Sequence, residues 1–220
     1  MCAVIGCYLK QPTEEQIETL QRLFIESQIR GRHASGLSIL TNDKPWSYIT
    51  PNPAEYLVEK FDWGCALAQP KLMLIGHTRY STSDLRFNQP LQNEDVSIVH
   101  NGVITQDPPE LWGRYGYSME TSNDSELLMR SVASGGEPLT EFPDASIAAL
   151  ELHRGGKMRW YRNTKRPLHS VKVKNGYFIM STQDIAERAG LSGSVMLDAG
   201  TVYTPTKKTK LLNVREMIHV

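Results

Sequence analysis

MCAVIGCYL, residues 1–9, is the stretch on which the reading of this chain turns. It is rich in strand formers, and the two-residue alternation of a strand puts Cys7 on the face opposite Cys2. Cys2 directly follows the initiator, and a small second residue generally permits removal of Met1. The α-amine so exposed has a reference pKa near about 7.7 to 8.0, against about 10.4 for lysine. A single residue would then supply both a thiol nucleophile and a general base. Taken alone, a second-position cysteine is more often a small buried hydrophobe. Cys7 and Cys65 read as packing residues.

Working outward, Thr13 followed by Gln16 forms a capping-box pattern, and Ile17, Leu20, Leu23, Phe24 and Ile29 fall near one helical face, predicting a helix over 13–29. Further apolar runs at 36–40, 72–75, 96–99, 146–152, 157–161, 168–173 and 177–181 read as strands. Helical patterns occupy 54–61, 108–115, 124–133 and 183–189. Gly155-Gly156 and Asn175-Gly176 sit where hairpin tips are expected. Strands outnumber helices, which favours mainly antiparallel sheets flanked by helices. With no repeat, low-complexity segment or long linker, 220 residues and 40% hydrophobic content point to a single domain over 1–220.

Twenty-four basic residues balance twenty-four acidic ones, which gives no broad surface for nucleic acid or an anionic membrane. TKKTK at 206–210 reads as a solvated loop. Neither a membrane-spanning run nor a signal-peptide pattern is seen, so the expected location is cytoplasmic. Three cysteines give no disulfide framework or paired ligand spacing, and no metal or organic cofactor is implied.

Five strings change the weight given to Cys2: MCAVIG at 1–6, RGRHASG at 30–36, GHTRYST at 76–82, HNGVI at 100–104 and NDSELL at 123–128. In order and approximate spacing the chain resembles the class II glutamine amidotransferases, whose glutaminase domains use an N-terminal nucleophile. The resemblance spans the first 128 residues; the last part matches only in its strand-rich character. It implies an α+β fold, a four-layer αββα sandwich of mainly antiparallel sheets.

By the same resemblance Cys2 would attack the side-chain amide of L-glutamine, giving a thioester and ammonia. The Asn101 side chain and the Gly102 N–H would form the oxyanion hole. Arg79, with Thr82 beside it, would hold the α-carboxylate and Asp124 the α-ammonium, while Tyr80 would open a lid over 81–90. These residue types suit that chemistry. An oxyanion needs fixed donors, glycine admits close backbone approach, and an amino acid's α-carbon needs one cation and one anion. Singly, each has a plainer reading: Arg79 as a surface ion-pair residue, Asp124 as a helix cap, Asn101-Gly102 as a turn. His77 and His100 read as orienting strand ends rather than as bases.

Ala3 stands where the family usually has glycine, and His33 where it usually has aspartate. With no fused synthase domain expected before Val220, ammonia would pass to an acceptor enzyme in trans. Two other readings stay open: a stand-alone γ-glutamyl amide hydrolase, and a catalytically silent glutamine-binding regulatory subunit.

Overall fold

The computed structural model of the chain describes residues 1–81 and 86–211. Its first helix starts as the capping box predicts. The Thr13 hydroxyl accepts from the Gln16 N–H at 3.3 Å, and the Gln16 carboxamide accepts from the Thr13 N–H at 3.1 Å. Helix α1 (Glu14–Glu26) buries Ile17, Leu20, Leu23 and Phe24. It is shorter than the periodicity suggests. Ser27 turns its hydroxyl back onto the Phe24 carbonyl at 2.6 Å, the chain tightens into a 3-10 turn over Ser27–Ile29, and Ile29 faces solvent.

Two sheets form the centre. The first contains β1 (Ala3–Lys10), β2 (Ala34–Thr41), β3 (Lys44–Thr50), β4 (Lys71–Arg79), β9 (His169–Val173), β10 (Gly176–Met180) and β11 (Val195–Met196), in the order β11-β9-β10-β1-β4-β2-β3. The second contains β5 (Leu91–Gln92), β6 (Val96–Val103), β7 (Ser146–His153), β8 (Lys157–Arg162), β12 (Thr201–Tyr203) and β13 (Lys208–Lys210), in the order β13-β12-β8-β7-β6-β5. The described pairings, from β1 with β10 and β4 to β6 with β7, are antiparallel.

Burial separates into three apolar layers, which define four structural ones. Ile5, Cys7, Leu9, Leu37 and Leu74 of the first sheet pack against α1, α2 (Ala54–Lys60), α3 (Trp63–Leu67) and α6 (Gln183–Arg188). Ile98, Ile147, Ala149 and Tyr161 of the second sheet pack against Leu127, Leu128 and Val132 of α4 (Ser125–Ala133), with α5 (Pro138–Glu141) beside it. Val4, Tyr8, Met73 and Ile75 meet Val99, Leu150, Met158 and Trp160 between the sheets. Strand alternation therefore turns Cys7 outward to the helices and Val4 inward, and Cys2 shares the parity of Val4. The order helix, sheet, sheet, helix is the αββα sandwich expected.

Several local expectations need correction. Residues 109–115 form a 3-10 rather than an α-helix, behind the Pro108-Pro109 pair that removes two donors. Gly155 and Gly156, at φ 79° and 84°, do make the β7–β8 tip, but the β9–β10 turn is Lys174–Asn175. Gly176 is already strand, paired with Val173, and a Cβ there would sit 1.8 Å from the Tyr8 carbonyl oxygen. The 206–210 stretch is exposed, and part of it is the edge strand β13. Among the described residues no helix is long and apolar enough to cross a membrane.

Candidate active site

Because β1 runs antiparallel to β4 and β10, Cys2 lies with the C-terminal ends of both, where Ala3 pairs with Thr78. Three contacts fix this end of β1. The Cys2 thiol points at the Tyr80 carbonyl, 3.8 Å away, and Arg30 Nε donates to the Cys2 carbonyl at 2.9 Å. Nearby on the same strand, Val4 N–H donates to Ser181 Oγ at 2.8 Å. Neither Arg30 nor Ser181 has a role that the sequence alone assigns. Arg30 lies in one of the five strings, so a signal existed; Ser181 left none.

Gly31 explains the glycine after Arg30. A Cβ there would sit 2.4 Å from the carbonyl carbon of Arg79 and from the Tyr80 nitrogen, so only glycine lets this loop lie on the end of β4. His33 closes the same contact: its Nδ1 accepts from the Ser81 N–H at 2.9 Å, and its ring packs on Tyr80 with centroids 4.9 Å apart. His33 thus holds Tyr80 and Ser81 at the end of β4. Arg79 donates from Nη1 to the Phe87 carbonyl at 2.9 Å and to Asn88 Oδ1 at 2.7 Å. Tyr80 is 52% exposed. Thr82 lies outside the described residues.

On the second sheet, β6 ends in His100, Asn101 and Gly102, each held differently. His100 is buried, with Nε2 at 3.0 Å from the Ser146 carbonyl and Nδ1 at 2.8 Å from Ser125 Oγ. A carbonyl can only accept, so Nε2 carries the proton and Nδ1 accepts from the serine. Ser125 Oγ in turn accepts from Gln89 Nε2 at 3.1 Å, while Gln89 Oε1 accepts from the His100 N–H at 2.6 Å. Burial pushes the His100 pKa below its ordinary value, which fits a neutral ring that positions rather than transfers protons.

Asn101 faces the inter-sheet layer. It is 3% exposed, and its Nδ2 has no hydrogen-bond partner among the described residues. A buried amide donor left unpaired costs about 1 to 3 kcal/mol, so this donor is held in reserve. Gly102 lies so close to β7 that a Cβ would sit 1.7 Å from the Ser146 carbonyl oxygen. His77, inward-facing on β4 and 1% exposed, has both ring nitrogens unpartnered among the described residues. Burial, with the charge of Arg79 nearby, lowers its pKa to about 3, so the ring stays neutral.

Asp124 stands at the N-cap position of α4 without capping it. Its Oδ2 accepts instead from the Ile104 N–H at 2.6 Å, which ties the helix start to the end of β6. Glu126, buried in the first turn of α4, holds the preceding loop, accepting from the Glu120 N–H at 2.9 Å and the Thr121 N–H at 2.7 Å. Cys2 thus precedes β1, Arg79 and Tyr80 stand at the end of β4, Asn101 and Gly102 near the end of β6, and Asp124 is tied to the residue that follows β6. Among the described residues no group of three His, Cys, Asp or Glu is placed to hold a metal ion.

With 94% of the chain superposed at a TM-score of 0.69, the glutamine phosphoribosylpyrophosphate amidotransferase of B. subtilis has the same architecture at 18% identity over 48% of its length. The fold is that of a class II glutamine amidotransferase domain. A structure of the allosteric regulatory enzyme of purine biosynthesis matches similarly, with a TM-score of 0.67, 19% identity and coverage of 92% of this chain and 46% of that one. A glutamine aminotransferase class-II domain protein of Silicibacter pomeroyi matches over 94% of this chain and 97% of its own at a TM-score of 0.54 and 12% identity. In sequence, the glutamine--fructose-6-phosphate aminotransferase of Vibrio vulnificus strain YJ016 is 26% identical over 140 residues, 60% of this chain and 22% of that protein. The chain therefore matches less than a quarter of that relative and about half of the first two structures. No protein-family model matches the chain. The amidotransferase fold is common to these chains.

Proposed function

We propose that this domain hydrolyses the side-chain amide of L-glutamine through a thioester on Cys2 and supplies the ammonia to an acceptor enzyme in the cytoplasm. The observation that carries this reading is the buried Nδ2 of Asn101, unpartnered among the described residues, on a strand position whose alternation turns it toward the inter-sheet layer. A donor kept desolvated and unpaired is what a transient oxyanion requires, and it gains most when charge develops on the substrate oxygen.

The proposed reaction begins with removal of Met1. The Cys2 α-amine takes the thiol proton as Sγ attacks the δ-carbon of glutamine. The carbonyl π pair moves to oxygen, where Asn101 Nδ2 and the Gly102 N–H hold the oxyanion. Collapse breaks the C–N bond, and the nitrogen takes the proton from the α-ammonium to leave as ammonia. Water, deprotonated by the same amine, then attacks the thioester; the C–S bond breaks, the thiolate is reprotonated, and glutamate leaves. Arg79 would orient the α-carboxylate and Asp124, through the oxygen not committed to Ile104, the α-ammonium. Tyr80 would close over the bound amino acid with the segment it opens.

Ammonia release from glutamine by the purified protein tests this reading. Turnover is expected in the wild type and absent in Cys2→Ala; equal rates in the two proteins would contradict it.

A further inference from the structure

We infer that Arg166, with Arg30 beside it, forms an anion-binding subsite on the leaving-group flank of Cys2, taking a carboxylate or phosphate carried beyond the scissile amide. The inference rests on the reading of Cys2 as the nucleophile.

Its geometry follows from two places where the chain crosses between sheets. Tyr80 follows β4, and Asn88 and Gln89 precede β5 on the other sheet; residues 163–168 cross back from β8 to β9 and bring Arg166. Strand β1 lies between β4 and β10, so Arg79 and Arg166 stand on opposite flanks of Cys2. An amide bound with its amino-acid end at Arg79 directs its other end toward Arg166. Arg166 Nε lies 3.3 Å from Ser146 Oγ, on the residue whose carbonyl abuts Gly102. Its charge is also felt at Arg30, which holds the Cys2 carbonyl.

Charge on this flank points the same way. Arg22, Arg32, Arg114, Arg130, Arg154, Arg159 and Arg188 each have a carboxylate within ion-pair distance. Arg30, Arg162 and Arg166 have none among the described residues, and all three stand on this flank. Burial and the neighbouring Arg166 lower the Arg30 pKa, while the carboxylate of Asp184, an exposed residue, acts in the opposite sense from beyond ion-pair distance. Burial and Arg162 lower the pKa of His169, with Asp184 acting in the opposite sense. Asp198, which pairs with Lys208, also feels the charge of Arg162, so three guanidinium groups stand against two carboxylates, one of them already paired, and the flank is cationic.

The crossing is also rigid. Arg162 donates to the carbonyls of Leu197, Asn163 and Arg166 at 2.7, 3.0 and 2.9 Å. Asn163 donates to the Ala145 carbonyl at 2.7 Å and accepts from the N–H of Ile147 at 3.1 Å. The segment is therefore held before any ligand arrives, while both Nη nitrogens of Arg166 have no partner among the described residues. A planar guanidinium held this way matches a carboxylate or phosphate.

The test is calorimetry on Cys2→Ala protein, which reads binding without turnover, with γ-glutamylglycine and the neutral γ-glutamylethylamide as paired ligands. The glycine compound is expected to bind roughly tenfold or more tightly. Arg166→Gln should bring the ratio near one, and Arg166→Lys, which keeps the charge but not the fork, should leave an intermediate value. An anion delivered by a separate molecule would instead appear as sulfate or phosphate changing glutamine turnover in wild type but not in Arg166→Gln. Equal affinity for the two γ-glutamyl ligands, with no effect of either anion, overturns the subsite. If γ-glutamylglycine binds preferentially to Cys2→Ala while wild type turns over neither it nor glutamine, the subsite stands and the nucleophile reading falls.

Discussion

On the outer face of the second sheet, Glu151 is fully buried, with Oε2 at 2.7 Å from His153 Nε2 and 3.6 Å from Arg159 Nε, and Arg159 also pairs with Glu137. On the inner face of the same sheet, Asn101 is nearly as buried and its donor meets nothing among the described residues, and across the layer His77 is in the same condition. The outer cluster pairs its charges within the fold and holds β7, β8 and the start of α5 together, although Glu151 Oε1 and Glu137 Oε1 have no hydrogen-bond partner among the described residues. The inner groups are desolvated without compensation, a cost a fold retains where a ligand supplies the missing partner. A buried group without a partner does not mark a site by itself, since Glu151 Oε1, Ser97 Oγ and Trp160 Nε1 also lack one among the described residues; what sets Asn101 and His77 apart is that they stand at strand ends on the inter-sheet layer.

The sharpest way to break this comparison is to truncate one residue from each face. Asn101→Ala should lower kcat for glutamine roughly 10²- to 10³-fold. Its unfolding free energy, by urea titration, should move by no more than about 1 kcal/mol, because the residue has no donor bond to lose. Arg159→Met should do the reverse, with a loss of about 3 kcal/mol in stability from stranding Glu151 and Glu137, and kcat/KM for glutamine near the wild-type value. If Asn101→Ala unfolds the protein, or Arg159→Met abolishes turnover, the two faces do not divide structure from function.

His77 sharpens the same point through pH. Unfolded, its imidazole takes up a proton below pH 6.5; folded, it does so only near about 3. Between those values the unfolded state binds more protons, so stability falls as pH falls, by roughly 1.4 kcal/mol per pH unit from this group. Urea midpoints followed from pH 7 to 4 should therefore decline less steeply in His77→Gln; parallel curves would mean that the ring finds a partner in solution. The smallest expected effect is at His33. Its replacement by alanine removes the ring packed on Tyr80 and the acceptor for Ser81, and should raise KM for glutamine about two- to fivefold with kcat little changed.

Much of this is legible in the chain. The capping box, the alternation that turns Cys2 and Cys7 to opposite faces, and the long strands all follow from local pattern. Strand β3 escapes that pattern because Pro45 interrupts its run, although Asn42 and Asp43, at φ 49° and 59°, make the kind of turn that announces a hairpin; the strand tolerates proline because it is a sheet edge. Ser181, Gln89 and Arg166 are illegible for a different reason. Each acts through a partner far away in sequence, as Ser181 does on Val4, and only the sheet order brings them together. The glycines of the strings are visible but unexplained by local pattern, and their cause is tertiary: Gly31 lies on β4 and Gly102 on β7.

The proposed chemistry depends on Cys2 being a processed N-terminal nucleophile. Intact-mass analysis of the purified protein, before and after incubation with 6-diazo-5-oxo-norleucine and with Cys2→Ala as the control, tests that most directly. The expected result is a mass short by one methionine and a single adduct that the control lacks. A chain that retains Met1 and takes no adduct would contradict it.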